Sequence, residues 1–150
     1  MNNVFDLNDT KEIIERINNL HETSKPQWGK MNVAQMLAHS NVTYECVYDT
    51  VHPKPNGVKK ILFKLFVKPV VVGEKPYKKN SPTAPFFVIE DERDFSKEKK
   101  RLIDYITKTQ ELGSEHFNNK ESLSFGPLST KEWNTLFYKH LNHHLTQFNV

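Results

Sequence analysis

Two histidines near the end of the chain have the spacing of metal ligands on a helix. His140 and His144 are four residues apart in WNTLFYKHLNHHLTQF, residues 133–148. Helical periodicity places them on an apolar stripe with Trp133, Leu136, Phe137 and Leu141. A buried imidazole without a partner costs about 1–3 kcal/mol, so both rings need one. Because side chains at i and i+4 can aim two ring nitrogens at one point, the pair indicates a transition-metal site that still needs a third ligand.

A third histidine lies on a second predicted helix, which begins after Asn32 and runs to about Val51. His39 is beside the apolar stripe of this helix but not at its centre. On the pattern alone, a hydrogen-bonded boundary histidine is the favoured interpretation. The alternative is a three-nitrogen site between the two helices, with His39 as the third ligand.

Two further helices are predicted to complete the set that positions these histidines. The first spans Asp9 to Leu20 and the third spans Phe95 to Leu112, where Gly113 is the expected stop. The last helix should begin at a capping box formed by Ser129 and Glu132. Four main helices with long connections predict an all-α protein, a four-helix bundle with a lid-like insertion, in a single domain over residues 1–150.

The region between the second and third main helices is expected to be an irregular insertion. A short helix is predicted over Val58 to Val67, ended by Pro69, with Ile61, Leu62, Leu65 and Phe66 facing inward. Residues 70–72 and 86–89 are expected to be short strands or extended segments. The stretch SEHFNNKESLSFGPL, residues 114–128, is expected to be a loop.

Composition and charge exclude several classes of protein. The chain of 150 residues has one cysteine, so no intrachain disulfide can form. The first residues lack a basic region followed by an apolar run, and no apolar stretch is long enough to span a bilayer. A cytoplasmic protein without a membrane span is therefore expected.

The net charge of +3 is too small to argue for nucleic acid, but lysines cluster between Lys54 and Lys79. That segment holds eight lysines and one acid, Glu74. Solvated surface lysines are the favoured interpretation, and a polyanion or an acidic membrane surface as partner is the alternative. No base-reading motif is present, so specific nucleic-acid binding is not expected.

Several motifs together resemble the DinB-like (YfiT-like) superfamily of four-helix-bundle metalloenzymes, in one of its uncharacterised branches. They are WGKMNVAQMLAHSN at 28–41, ERDFSKEKKRLIDYI at 92–106, SFGPLS at 124–129 and EWNTLFYKHLNHHLTQF at 132–148. The resemblance covers essentially the whole chain. It implies an up-down bundle, commonly a homodimer, with one histidine of the second helix and an HxxxH pair of the fourth binding a divalent metal. Carried over to this sequence, the ligands are His39, His140 and His144.

The resemblance leaves the metal, the substrate and the reaction open. Three imidazoles suit zinc or nickel best, and iron, manganese or copper remain alternatives. With a fourth position free, such a site could serve a metal-dependent hydrolase acting on a small molecule. The alternatives are a thiol-dependent S-transferase that uses a metal-bound thiolate, and a bundle that binds metal or ligand without turnover.

Four other residues near these helices have weaker claims to function. His143, adjacent to His144, is predicted to lie at the rim of the site, since neighbouring helical side chains point apart. Cys46 is predicted to be a buried structural thiol. Gln35 and Tyr44 are interpreted either as contacts to the ligands or substrate, or as plain helix residues. No catalytic residue is assigned.

Overall fold

The computed structural model describes residues 1–150 and is mostly helical. Its long helices are α1 (Leu7–Asn18), α2 (Val33–Tyr48), α5 (Phe95–His116) and α6 (Thr130–Gln147). Between α2 and α5 lie α3 (Gly57–Leu62), a π-helical turn (Phe63–Val67), α4 (Lys68–Val72) and a 3-10 turn (Pro85–Phe87). The strands β1 (Lys120–Ser122) and β2 (Gly126–Leu128) form one antiparallel hairpin before α6.

Side-chain caps fix where the long helices begin. The Asp6 carboxylate accepts hydrogen bonds from the first turn of α1, and Asp94 does the same for α5. α2 begins with a capping box between Asn32 and Gln35, and α6 begins with the predicted box between Ser129 and Glu132. These four local signals confirm the main helices expected from the sequence, with ends shifted by a few residues.

The four long helices share one hydrophobic core. α5 packs against both α1 and α2, and α6 packs against α2 and α4. The helices bury paired residues at i and i+4, such as Ile13 with Ile17 and Leu102 with Ile106. Phe137 of α6 is fully buried, and its ring stacks on Tyr44 with a centroid separation of 4.9 Å. This packing holds α6 against α2, the two helices that carry the site histidines.

A buried polar network sets the rotation of α2 against α5. The Asn41 amide donates to the Glu98 carboxylate at 2.8 Å and to the Glu98 carbonyl at 3.1 Å. Arg101 donates to the same carboxylate at 2.8 Å and also pairs with Glu45 of α2. Because Asn41 and Glu98 are almost fully buried, the Asn41 N–H groups and the Glu98 carboxylate need partners, and this rotation of α2 brings them together. His39, two residues before Asn41, is positioned with it.

The insertion and the 114–128 stretch together differ from the prediction in three ways. The helical segment continues past Pro69 to Val72 rather than ending there, because the π-helical turn precedes Pro69 and places it in the first turn of α4, where its missing N–H is tolerated. Residues 70–72 are therefore helical, and residues 85–87 form a 3-10 turn. The 114–128 stretch contains one more helical turn after a kink at Gly113, followed by the hairpin, in which Ser122 Oγ donates to the Gly126 carbonyl at 2.8 Å.

The prediction is wrong about which face of the insertion helix, the helical segment Gly57–Val72, points inward. Ile61, Leu62, Leu65 and Phe66 are 61%, 48%, 61% and 69% exposed. A different row, which contains Phe63 and Val71, faces the rest of the protein. The sequence could not distinguish the two rows, because both are apolar. No helix of the structure is long and apolar enough to cross a membrane.

Candidate metal centre

Three histidines from two helices converge at one end of the α2–α6 interface. His39 comes from α2, and His140 and His144 come from consecutive turns of α6. One nitrogen of each ring lies within 4.8 Å of the others, and the Nε2 atoms of His39 and His140 are 3.0 Å apart. The three side chains are therefore close enough together to hold one metal ion.

A backbone carbonyl fixes the His39 ring. His39 Nδ1 lies 2.8 Å from the carbonyl oxygen of Phe87, in the 3-10 turn. A carbonyl only accepts, so Nδ1 carries the proton and Nε2 presents its lone pair toward His140 and His144. Such a hydrogen bond to the far nitrogen is the usual way in which proteins orient a metal-binding imidazole. The insertion thus supplies part of the support for the site.

A side-chain amide holds His144 in the same way. His144 Nδ1 lies 2.8 Å from Gln147 Oε1, and Gln147 Nε2 donates to the Trp28 carbonyl at 2.6 Å. The Trp28 carbonyl determines which end of the amide is the donor, so the amide oxygen faces His144 and accepts its Nδ1 proton. His144 therefore also presents the lone pair of Nε2.

His140 is held between a hydroxyl and the ring of His39. Its Nδ1 lies 3.1 Å from Thr43 Oγ1, and its Nε2 faces His39 Nε2. A threonine hydroxyl both donates and accepts, so it pairs with either tautomer of His140. The ring can carry its proton on Nε2 and donate to His39, or carry it on Nδ1 and free Nε2. With the proton on Nδ1, where Thr43 Oγ1 can accept it, the Nε2 lone pair of His140 is available to a divalent ion in place of the contact with His39.

Burial keeps the three rings neutral, which is the form that binds a metal. Desolvation lowers the pKa of His39 and lowers that of His140 well below its ordinary value, and the neighbouring histidines act in the same direction. The pKa of His144 falls to about 3, chiefly by burial. At neutral pH the site therefore offers lone pairs without first releasing protons.

This neutrality predicts a loss of stability in acid for the metal-stripped protein. Unfolded histidines titrate near 6.5, so below that pH the unfolded chain binds protons that the buried rings do not. The stabilisation is complete above pH 6.5 and falls as the pH drops toward the folded value of about 3. From pH 7 to pH 5, His144 alone should remove about 2 kcal/mol, and His39 and His140 act in the same direction.

Urea titrations at the two pH values, in the presence of chelator, measure this slope. The His144→Gln variant should lose a smaller amount than the parent over the same interval. Equal unfolding free energies at pH 7 and pH 5 in the parent would show that the three rings are not buried in neutral form.

A large cavity opens onto the histidines. Its volume is about 1110 Å³, and half of its 36 lining residues are hydrophobic. The walls include Phe63 and Val71 of the insertion helix, Phe87 of the 3-10 turn, and Phe125 of the hairpin. The cavity is large enough for a small organic molecule, and its lining favours one with a substantial apolar part.

Two of the four weaker candidates, His143 and Tyr44, have clearly different environments in the structure. His143 lies at the cavity edge, half-buried between Trp28 and Tyr77, with a ring centroid 5.7 Å from each. Tyr44 is a core residue that stacks between Tyr105 and Phe137.

The remaining two candidates line the cavity without contacting the histidine nitrogens. Gln35 closes the capping box of α2 and donates to the Asp91 carbonyl at 3.3 Å. Cys46 is partly buried, and burial raises its pKa to about 12, so its thiol is protonated and unreactive at neutral pH.

Sequence reasoning missed the residues that orient the rings. Gln147 has a detectable signal, because an amide three residues after a histidine can reach it on a helix. Thr43 lies four residues after His39, and this spacing places both on the face toward α6. The Phe87 carbonyl has no such signal, since a backbone group 48 residues away is not identified by any side-chain pattern.

A buried lysine next to the site was also missed. Lys139 is 7% exposed, and its ammonium donates to the carbonyls of Val70, Gly73 and Lys75. Its ammonium caps the end of α4 and so links the insertion to α6. Lys139 directly precedes His140 in the chain. Lys139 lies outside the apolar stripe of α6, so the sequence predicts an ordinary surface lysine at this position.

We expect the Gln147→Leu substitution to weaken metal binding by about 10–100-fold, because it removes the acceptor that sets the His144 tautomer. It also leaves the Trp28 carbonyl without its donor. Competition with a coloured zinc chelator measures the affinity. The matched control is Gln110→Leu on α5, away from the site. An unchanged affinity in Gln147→Leu would show that His144 does not depend on this amide.

Comparisons with known proteins identify a family but no characterised relative. Neither curated proteins nor solved structures include a significant match to this chain. A family model, described as a protein of unknown function (DUF1569), matches residues 1–150. The chain therefore belongs to the DUF1569 family over its whole length.

Proposed function

We propose that this protein is a divalent-metal-binding member of the DinB-like superfamily, a single-domain up-down four-helix bundle formed by α1, α2, α5 and α6. The proposed ligands are Nε2 of His39, His140 and His144, with zinc or nickel as the preferred ion. The observation that carries the proposal is the pairing of both His39 Nδ1 and His144 Nδ1 with carbonyl oxygens, which leaves the opposite nitrogens to converge. A cytoplasmic location, expected from the composition, and a homodimer, as the resemblance implies, remain predictions.

The proposed activity is metal-dependent hydrolysis of a small, largely apolar molecule. His39, His140 and His144 would hold the divalent ion, which would act as a Lewis acid toward a substrate in the cavity. The cavity would bind the apolar part of the substrate along Phe63, Phe87 and Phe125 and exclude water from it.

One group of the chain is placed to accept a proton in such a reaction. His143 lines the cavity with its ring centroid 5.0 Å from that of His144, and no hydrogen bond occupies its nitrogens. Burial lowers the pKa of His143, so the ring is neutral at pH 7 and has a nitrogen lone pair that can accept a proton. We assign it the role of general base.

The runner-up activity is transfer of a low-molecular-weight thiol, as in some relatives implied by the resemblance. The cavity volume of about 1110 Å³ could accept both a thiol and an acceptor molecule. Lys30 and Lys78 are the cationic side chains that line the cavity, and both are exposed. The buried ammonium of Lys139 does not line it and donates to backbone carbonyls instead. A thiol with carboxylates would therefore find charge partners only at the exposed lysines. This charge distribution favours the hydrolase.

The experiment that tests the function begins with protein stripped by chelator and titrated with zinc and nickel. One equivalent should bind and raise the unfolding free energy by about 2.7 kcal/mol at a hundredfold excess over the dissociation constant. The loaded protein is then assayed with uncharged aryl esters, and separately with thiols and an electrophile. Ester hydrolysis that falls about 10²–10⁴-fold in His143→Ala, with zinc affinity unchanged, supports the assignment. Thiol transfer without hydrolysis would replace it with the runner-up.

A further inference from the structure

The insertion helix carries an apolar row that nothing in the fold covers. Ile61, Leu65 and Phe66 are between 61% and 69% exposed, and Val58 beside them is 72% exposed. None of these four side chains lines the cavity, whose wall is formed by the other side of the same helix. A contiguous exposed row of large apolar residues is unusual on a folded protein and marks a contact surface.

Lysines border this row, and acids are absent from it. Residues 50–73 contain five lysines and no aspartate or glutamate. Lys60 and Lys68 form ion pairs with Glu121 and Glu132. Lys59 and Lys64, on opposite borders of the row, are exposed and have no ion-pair partner. The helix thus presents an apolar stripe between free positive charges.

This combination matches an anionic bilayer surface better than other partners. A helix that lies in the membrane interface buries its apolar side chains among the acyl chains while its lysines meet acidic headgroups. In a symmetric contact between two copies of this chain, the same lysine borders would face each other and repel. Nucleic acid would satisfy the lysines but leave Ile61, Leu65 and Phe66 uncovered.

We propose that the helical segment Gly57–Val72 is a peripheral docking element for membranes rich in anionic lipid. Lys59 and Lys64 contact acidic headgroups, and Ile61, Leu65 and Phe66 insert among the acyl chains. The segment lies on the surface and does not span the bilayer. This proposal is independent of the metal site, since the residues that meet the bilayer do not line the cavity that opens onto the histidines.

Flotation of the full-length protein with vesicles tests the proposal. Vesicles of phosphatidylcholine mixed with phosphatidylserine should bind the protein, and added salt should weaken this binding. Lys59→Gln and Lys64→Gln should each reduce partitioning about fivefold. Phe66→Ser should reduce it about tenfold. The matched control, Lys11→Gln with Lys25→Gln, removes two exposed lysines elsewhere and should bind like the parent.

A second measurement decides the matter even if a serine variant fails to fold. In Phe66→Trp, the added tryptophan should shift its emission to the blue with anionic vesicles and keep its solvent-exposed spectrum with pure phosphatidylcholine. Absence of flotation with anionic vesicles overturns the proposal. Equal loss in the lysine control also overturns it. So does a concentration-dependent dimer that Phe66→Ser abolishes, because the face would then be a contact between copies.

Discussion

We expect His39→Ala, His140→Ala and His144→Ala each to weaken zinc binding by more than about a hundredfold. Loss of a group that merely orients a ligand costs about 10–100-fold, and loss of the ligand itself should cost more. Each of the three rings contributes one nitrogen to a cluster within 4.8 Å, and no fourth histidine, cysteine or carboxylate belongs to that cluster.

His143→Ala is the matched control for these three variants. It removes an imidazole from the same turn of α6, but one that packs at the cavity edge against Trp28 and Tyr77. Its zinc affinity should equal that of the parent. If His39→Ala also binds zinc like the parent, α2 provides no ligand, and the HxxxH pair must bind alone or be explained by packing.

The second large effect is on stability. Phe137→Ala should lower the unfolding free energy by about 3–5 kcal/mol, because the ring is fully buried and contacts three other aromatic rings. Its ring centroid lies 4.9 Å from that of Tyr44, 5.4 Å from Trp133 and 5.6 Å from Phe117. Removing it leaves a cavity between α2 and α6, the helices that bring the histidines together.

Phe66→Ala provides a control with the same chemical change. Phe66 is 69% exposed, so its truncation should alter the unfolding free energy by no more than about 0.5 kcal/mol. Urea unfolding monitored by circular dichroism measures both variants. Similar losses in the two would mean that Phe137 is not the centre of the core.

The sequence predicted those parts of the structure that depend on local signals. The capping boxes at Asn32 and Ser129 mark the starts of α2 and α6. The i, i+4 spacing of His140 and His144 places both rings on one side of α6. His39 was different, because its periodicity favoured an ordinary boundary residue and only the family resemblance made it a ligand. The structure brings His39 to the other two rings.

The parts that sequence reasoning misplaced depend on contacts between distant segments. The insertion helix is apolar on two sides, so its sequence does not predict which side is buried. The buried side is the one that completes the cavity wall. The sequence predicts Lys139 to be a surface residue, because it does not show that carbonyls of residues 70–75 surround the ammonium in the fold. The Asn41–Glu98 pair likewise becomes visible only when α2 and α5 are packed together.

Nitrogen NMR of the histidine rings tests the central claim most directly. The protein has seven histidines, and one equivalent of zinc should shift the Nε2 resonances of three of them, His39, His140 and His144, while their Nδ1 atoms keep the proton. The carbonyl acceptors at Phe87 and Gln147 require this tautomer for His39 and His144. Zinc bound through Nδ1, or a zinc-loaded protein in which the His39 ring resonances do not move, would contradict the three-histidine site.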